Sequence, residues 1–178
     1  MAKRALWLIP LLLTSAVLGG CASGGRVPRP QPFPGAPAPP ASPEPASPAG
    51  VPPAASALLA TALALRGTPY LNGGSEPTRG FDCSGFVQWV FAQHGTSLPR
   101  ETSKQYDEGK RVKRDEIQPG DLIFFETVAR GPSHVGIALG AGAFVHAPSS
   151  RGVVRVESYE SGYWSSRWIG ARRVSGSG

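Results

Sequence analysis

The chain is poor in the side chains that carry most thiol and imidazole chemistry. Its 178 residues include two cysteines, three histidines and one methionine. Any such chemistry must run through Cys21, Cys83, His94, His134 and His146. No Cys-x-x-Cys or His-x-x-x-His pair occurs, which argues against a zinc site built from short-spaced ligands. Long apolar runs are missing as well. The stretch from Leu6 to Leu13 is broken by Pro10 and is too short for a comfortable membrane span. Basic and aromatic residues are not interleaved as on a nucleic-acid surface, and no internal repeat is evident. The formal charge of +6 is concentrated in Arg172-Arg173 and Lys110 to Arg114. These clusters read as solvated loop charge or, alternatively, as a weak attraction to an anionic surface.

What is present begins with an export signal. Lys3 and Arg4 form a basic leader, the apolar stretch follows, and small residues close it at Leu18-Gly19-Gly20-Cys21. The competing reading is a retained single-span anchor. Leu18-Gly19-Gly20-Cys21 resembles a bacterial lipobox. That resemblance implies cleavage before Cys21, diacylglycerol on its sulfur and a lipid-anchored mature protein. Ala22, standing where an Asp would retain such a protein at the inner membrane, implies outer-membrane placement facing the periplasm. With Cys21 acylated, Cys83 has no disulfide partner in an oxidising compartment, so its presence calls for a reason.

Composition then divides the chain. Residues 1–20 are the expected signal peptide, 21–53 a lipidated cysteine and linker, and 54–178 the folded domain. Val27 to Pro53 is rich in Pro, Ala, Ser and Gly and has almost no large apolar residue but Phe33. Such a segment cannot bury a core and serves as a tether, about 3 Å per residue and roughly 80 Å when extended.

Within the domain the order of elements predicts an α+β fold. Ser56 to Arg66 reads as a helix with Leu58, Leu59, Ala62, Leu63 and Leu65 on its apolar face, ended by Gly67-Thr68-Pro69. A second helix spans Cys83 to Gln93, capped by Asp82 and ended near Gly95. A short third helix is expected after Pro99. The turn Gln118-Pro119-Gly120-Asp121 leads into a strand at Leu122 to Phe125. Further strands are expected at His134 to Leu139, Ala143 to Ala147, Val153 to Val156 and Trp168 to Val174. Helices first and short strands afterwards exclude an alternating β-α-β order.

Cys83 is the single candidate nucleophile. The first turn of a helix presents free N–H groups and the positive dipole end, which favour a thiolate and predict a lowered pKa. Taken alone, a small buried cysteine filling a core gap explains it equally. His134 is the candidate base, with a structural histidine as its equal competitor. In its strand, Val135, Ile137 and Leu139 point one way, and His134, Gly136 and Ala138 the other. The small residues around His134 predict that the helix start approaches this face. If Gly140-Ala141-Gly142 forms the hairpin loop, Leu139 pairs with Ala143 and His146 with Gly136. His146 then lies diagonal to His134 on one face and can orient it. A two-residue loop would shift the register and separate the histidines. His94, at the far end of the helix, has no expected catalytic role.

Asp82-Cys83-Ser84-Gly85-Phe86, Leu98-Pro99-Arg100, Gln118-Pro119-Gly120-Asp121-Leu122, His134-Val135-Gly136-Ile137 and His146-Ala147 occur in this order. Together with the closing Arg167-Trp168-Ile169-Gly170-Ala171-Arg172-Arg173 they resemble the NlpC-type family of bacterial cell-wall cysteine peptidases, a papain-like group. The resemblance covers roughly Ala54 to Val174. It implies N-terminal helices packed on an antiparallel sheet of about five to six strands. It also implies hydrolysis of peptidoglycan stem or cross-link bonds, γ-D-Glu–diaminopimelate or D-Ala–diaminopimelate. Carried over by position, Cys83 is the nucleophile, His134 the base and His146 the orienting residue. Tyr70 would line the cleft. Asp82, Ser84 and Arg100 would bind substrate, although helix capping is an equal reading of Asp82 and Ser84, and a surface position one of Arg100. The expected partners are peptidoglycan stem peptides and, through Cys21, a membrane, with no nucleic acid, no cofactor and no metal; a monomer is expected. The alternatives are a cell-wall amidase or acyl transferase of the same superfamily, and a non-catalytic peptidoglycan-binding lipoprotein.

Overall fold

The computed structural model describes residues 51–149 and 152–174. The signal sequence, Cys21 and most of the Pro/Ala-rich segment lie outside the described residues. In chain order the elements are α1 (Pro53–Ala64), β1 (Ser75–Glu76), β2 (Gly80–Phe81), α2 (Cys83–Ala92), α3 (Thr102–Asp107), β3 (Lys110–Val112), a 3-10 turn (Arg114–Glu116), β4 (Leu122–Phe125), β5 (His134–Gly140), β6 (Ala143–His146), β7 (Arg155–Ser158), α4 (Gly162–Ser165) and β8 (Trp168–Arg173). Helix α1 starts three residues before the sequence reading, with Pro53 in a first-turn position where its missing N–H costs nothing. No described helix is long and apolar enough to cross a membrane.

Six strands form one sheet in the order β3-β8-β4-β5-β6-β7, and every pairing in it is antiparallel. The α+β class and the strand number agree with the sequence reading. Its two faces carry separate cores. Leu122, Phe124, Val135, Ile137 and Val145 pack against Leu58, Ala62, Phe86, Val87, Val90 and Phe91 of α1 and α2. Ile123, Phe125, Ala138, Phe144, Tyr159 and Trp164 form the opposite core, beneath α4. Each fully buried Val, Leu, Ile or Phe contributes about 1.5–3 kcal/mol, so both faces are strongly specified. This corrects one expectation. Helix α2 packs on the Val135/Ile137 face, because that face carries the bulk that its own apolar stripe needs. The His134 face turns instead toward Phe125, Phe144 and Trp164.

The β5–β6 hairpin corrects another. Its loop has two residues, Ala141 and Gly142, both at positive φ (49° and 74°). That alone would put the two histidines on opposite faces. A bulge between Ala138 and Gly140 absorbs one residue, so Ala138 faces Phe144 and Ile137 faces Val145. The register thus returns to the one that sets His146 opposite Gly136.

The basic clusters are not simple loop charge. Lys110 and Arg111 lie exposed on the edge strand β3, where charge discourages further pairing. Arg172 is buried, with its guanidinium 4.0 Å from the Tyr106 ring centroid. Arg173 donates two hydrogen bonds of 2.8 Å to the buried Asp121 carboxylate. Asp121 also accepts from the Gln118 backbone N–H at 2.7 Å, so the Gln-Pro-Gly-Asp turn ties β4 to β8. Strand β7 begins two residues later than expected, and Val153 instead borders the Pro69 segment through a single bridge.

Candidate active site

Cys83 opens α2, and the residues around it explain the Asp-Cys-Ser-Gly spacing. Asp82 has extended backbone (φ −90°, ψ 178°) and its Oδ1 accepts from the Gly85 N–H at 2.7 Å, an N-cap bond. Gly85 must lack a side chain, because a Cβ there would lie 2.1 Å from the Gly74 carbonyl oxygen. Cys83 is a half-buried free thiol, with Thr102 Oγ1 of α3 at 3.7 Å from its sulfur. Burial pushes the thiol above its usual value, and the nearby Asp82 charge adds to this. The Thr102 hydroxyl and the backbone N–H groups of Val135 and Ser84 oppose the shift. The sequence argument for a lowered pKa is therefore overturned: helix-start donors are present, but desolvation outweighs them. The influence of the Val135 N–H places the thiol near the start of β5, but among the described residues the hydrogen-bond partner of the sulfur is Thr102, and none joins it to His134.

Asp82, Ser84 and Arg100 come together as one network. Arg100 Nη1 donates to Asp82 Oδ1 at 2.9 Å and to Ser84 Oγ at 2.8 Å, and its Nη2 donates to Asp82 Oδ2 at 2.6 Å. The Gly73 N–H takes the remaining side of Oδ2 at 3.0 Å. The carboxylate is thus satisfied from within the protein. This favours capping and loop-locking for Asp82, and makes Arg100 more than a surface residue. Tyr70 is half-buried beside this network. Burial raises its hydroxyl pKa, the Cys83 and Asp82 charges add to the shift, and Arg100 opposes it. His94 is elsewhere, with Nε2 2.9 Å from Thr61 Oγ1 of α1.

The two other imidazoles meet on the far face of the sheet. His134 Nε2 lies 2.8 Å from His146 Nδ1, and the rings are perpendicular with centroids 5.0 Å apart. Both are nearly solvent-free, at 4% and 0% exposure. Burial pushes both pKa values far below the ordinary histidine range; the His146 charge adds to this at His134, where Glu157 opposes it, and the Arg155 charge adds to it at His146. Both rings are therefore neutral at neutral pH. Trp164 stacks on His134 (5.2 Å, 25°) and meets His146 edge-on (5.0 Å, 86°). Gly136 is what lets β6 come so close: a Cβ there would lie 2.6 Å from Phe144 and 3.0 Å from His146 Cβ.

A groove of about 350 Å³ opens beside His134, lined by Thr127, Pro148, Arg155, Glu157, Tyr163 and Trp164 among others. Larger hollows, of about 460 Å³ near Trp89 and about 610 Å³ near Arg130, contain neither thiol nor imidazole, and one of about 440 Å³ beside α1 includes His94 but no thiol. Among the described residues, no cluster of three His, Cys, Asp or Glu side chains is arranged to hold a metal. Sequence reasoning missed Thr102, Glu157 and Trp164. Glu157 was within reach of a period-two argument once the β6–β7 register is known; Trp164, on a one-turn helix, gave no such signal.

Comparison with known proteins agrees with this architecture. The model of the NlpC/P60 family matches residues 67–173, and the chain belongs to that family. It is 46% identical over 110 residues to the Escherichia coli murein DD-endopeptidase MepS/murein LD-carboxypeptidase, covering 61% of this chain and 57% of that one. It is 38% identical over 121 residues to the Bacillus subtilis γ-DL-glutamyl hydrolase, covering 66% of this chain but only 29% of that one. Among solved structures, an NLP/P60-family protein from Staphylococcus aureus, described as similar to lipoprotein, superposes with a TM-score of 0.62 at 40% identity. That match covers 68% of this chain and 41% of that one.

Proposed function

We propose that this chain is a peptidoglycan endopeptidase that hydrolyses stem-peptide or cross-link amide bonds through Cys83, His134 and His146. The observation that supports the reading is the buried His134–His146 pair, bridged at 2.8 Å from β5 to β6, together with the free Cys83 thiol at the start of α2. The 46% identity to a murein endopeptidase supports the substrate class.

The protonation states favour a particular course. Thiol and imidazole both rest neutral, so proton transfer to His134 accompanies attack rather than preceding it. Sulfur adds to the scissile carbonyl, the Cys83 S–H proton passes to His134 Nδ1, and the negative charge moves to the carbonyl oxygen. The free backbone N–H of Cys83 at the helix start is a candidate donor to that oxygen. Collapse releases the amine, protonated from His134, and leaves a thioester. Water, deprotonated by His134, then frees the acid and restores the thiol.

The lipobox-like Leu18-Gly19-Gly20-Cys21 supports an anchor on Cys21 and residence at the outer membrane, facing the periplasm, with the Pro/Ala-rich segment as tether. Digestion of defined muropeptides with mass analysis of the products tests the enzymatic reading and identifies the bond. Metabolic labelling with a fatty acid, comparing wild type with Cys21→Ser, tests the anchor. Absence of label in the wild type would remove it.

A further inference from the structure

His134, His146 and Glu157 step diagonally across three neighbouring strands. His146 faces Arg155 across the β6–β7 pair, and Glu157 faces Phe144, so Glu157 lies diagonal to His146 on the same side of the sheet. His146 Nε2 is fully buried and has no hydrogen-bond partner, and Glu157 Oε1 is 3.7 Å away. Glu157 is held in turn by the Arg155 guanidinium and by the Trp164 indole N–H. That same indole stacks on His134.

We propose that Glu157 is a positioning residue that sets the tautomer of the histidine pair; the inference rests on the catalytic reading of Cys83, His134 and His146 given above. One proton lies between His134 Nε2 and His146 Nδ1, and it can belong to either ring. If it belongs to His146, the His146 Nε2 lone pair points at a carboxylate, and His134 carries its other proton on Nδ1, where it cannot accept from the thiol. If it belongs to His134, His146 carries its proton on Nε2 and directs it at Glu157. The negative charge of Glu157 favours the second arrangement and disfavours the first. His134 Nδ1 is then bare and available to Cys83. Glu157 thereby acts on the thiol through two rings without touching it. The charged and titratable groups around the pair are Cys83 from α2, Arg155 and Glu157 from β7, and Tyr163 on the groove wall from α4. Of these, the Glu157 carboxylate lies toward His146 Nε2, and the Arg155 guanidinium paired with it offsets part of its charge.

The test reads the tautomers directly. Two-bond proton–nitrogen correlation spectra of the full-length protein with labelled imidazoles, recorded near neutral pH, should show both rings protonated on Nε2 and bare on Nδ1. In Glu157→Gln one carboxylate acceptor becomes an NH₂ donor, while the Arg155 and Trp164 donors compete for the remaining oxygen. His146 should then shift toward protonation on Nδ1. Glu157→Asp, which keeps the charge, should retain the wild-type pattern. On a muropeptide substrate Glu157→Gln should lower kcat by about 10- to 100-fold with little change in KM. Its acid limb should move to lower pH, because the charge that supports His134 protonation is gone. A residue holding only the fold would alter unfolding temperature without changing tautomer or limb. His146 protonated on Nδ1 in the wild type, or an unchanged tautomer in a folded Glu157→Gln protein, would overturn the proposal. The spectra need no turnover, so a chain that cleaves no wall peptide still reports on Glu157.

Discussion

His146 lies opposite Gly136 and diagonal to His134, which brings its Nδ1 to 2.8 Å from His134 Nε2. The approach depends on an absent side chain. With Ala at position 136, a methyl group would meet Phe144 Cδ2 at 2.6 Å, the Val145 carbonyl at 2.9 Å and His146 Cβ at 3.0 Å. Two of these neighbours belong to the backbone or its first side-chain atom and cannot rotate away. Gly136→Ala should cost about 1–3 kcal/mol in stability. If His146 orients His134 as proposed, the substitution should also lower kcat by on the order of 100-fold, since the His146 ring is displaced. Denaturant titration and turnover on one muropeptide check both effects. A stable variant with full turnover would show that the close approach is not needed.

The thiol gives a second prediction, with a sign opposite to the helix-start argument. Burial holds Cys83 above its usual titration range. Iodoacetamide should therefore modify the resting protein slowly at neutral pH, and the rate should keep rising past the ordinary thiol value of 9.0. A plateau already reached at neutral pH would mean a preformed thiolate–imidazolium pair.

The buried imidazoles make stability pH-dependent. Both titrate at about 3 in the folded protein, against 6.5 for an exposed ring. Between those values the unfolded chain binds protons that the folded chain does not. Their contribution is fully present above 6.5 and is lost as pH falls below it. The slope is about 1.4 kcal/mol per pH unit for each imidazole. Denaturant midpoints measured at falling pH should drop accordingly, and less steeply in His146→Asn. Equal slopes in the two proteins would place the acid sensitivity elsewhere.

Asp82 and Arg100 should behave as one unit. Removing Asp82 deletes the α2 cap, worth about 0.5–2 kcal/mol, and leaves Arg100 unpaired against Ser84 and Gly74. Asp82→Ala, Arg100→Ala and the double variant should show strong coupling in a double-mutant cycle of stability. Additive losses would show that the ion pair does not couple the loop to the helix.

These residues also show how far the chain could be read before its fold was known. The Asp82 cap, the start of α2 at Cys83 and the strand at Leu122 follow from local rules, because each is set by neighbours in sequence. A three-residue loop pairs His146 with Gly136 on paper, whereas the protein uses a two-residue turn and a bulge at Leu139. Two local differences cancel, and no local rule reports that. The face on which α2 packs depends on the bulk of Val135 and Ile137 against Phe86 and Val90, a long-range balance. The Cys83 pKa followed the helix dipole in the sequence argument but follows burial in the protein, and burial is a property of the assembled core. Glu157 and Trp164 became visible only once β7 and α4 were placed against the histidines.

Catalysis through Cys83 is tested most directly by mass spectrometry of a defined cross-linked muropeptide. The wild-type protein should convert the substrate into two products whose summed mass exceeds it by one water, and Cys83→Ala should leave it intact. A thioester adduct on the Cys83 peptide should be trapped by rapid acid quench. Cleavage that persists in Cys83→Ala, or no cleavage of any stem or cross-link bond by the wild type, would contradict the account.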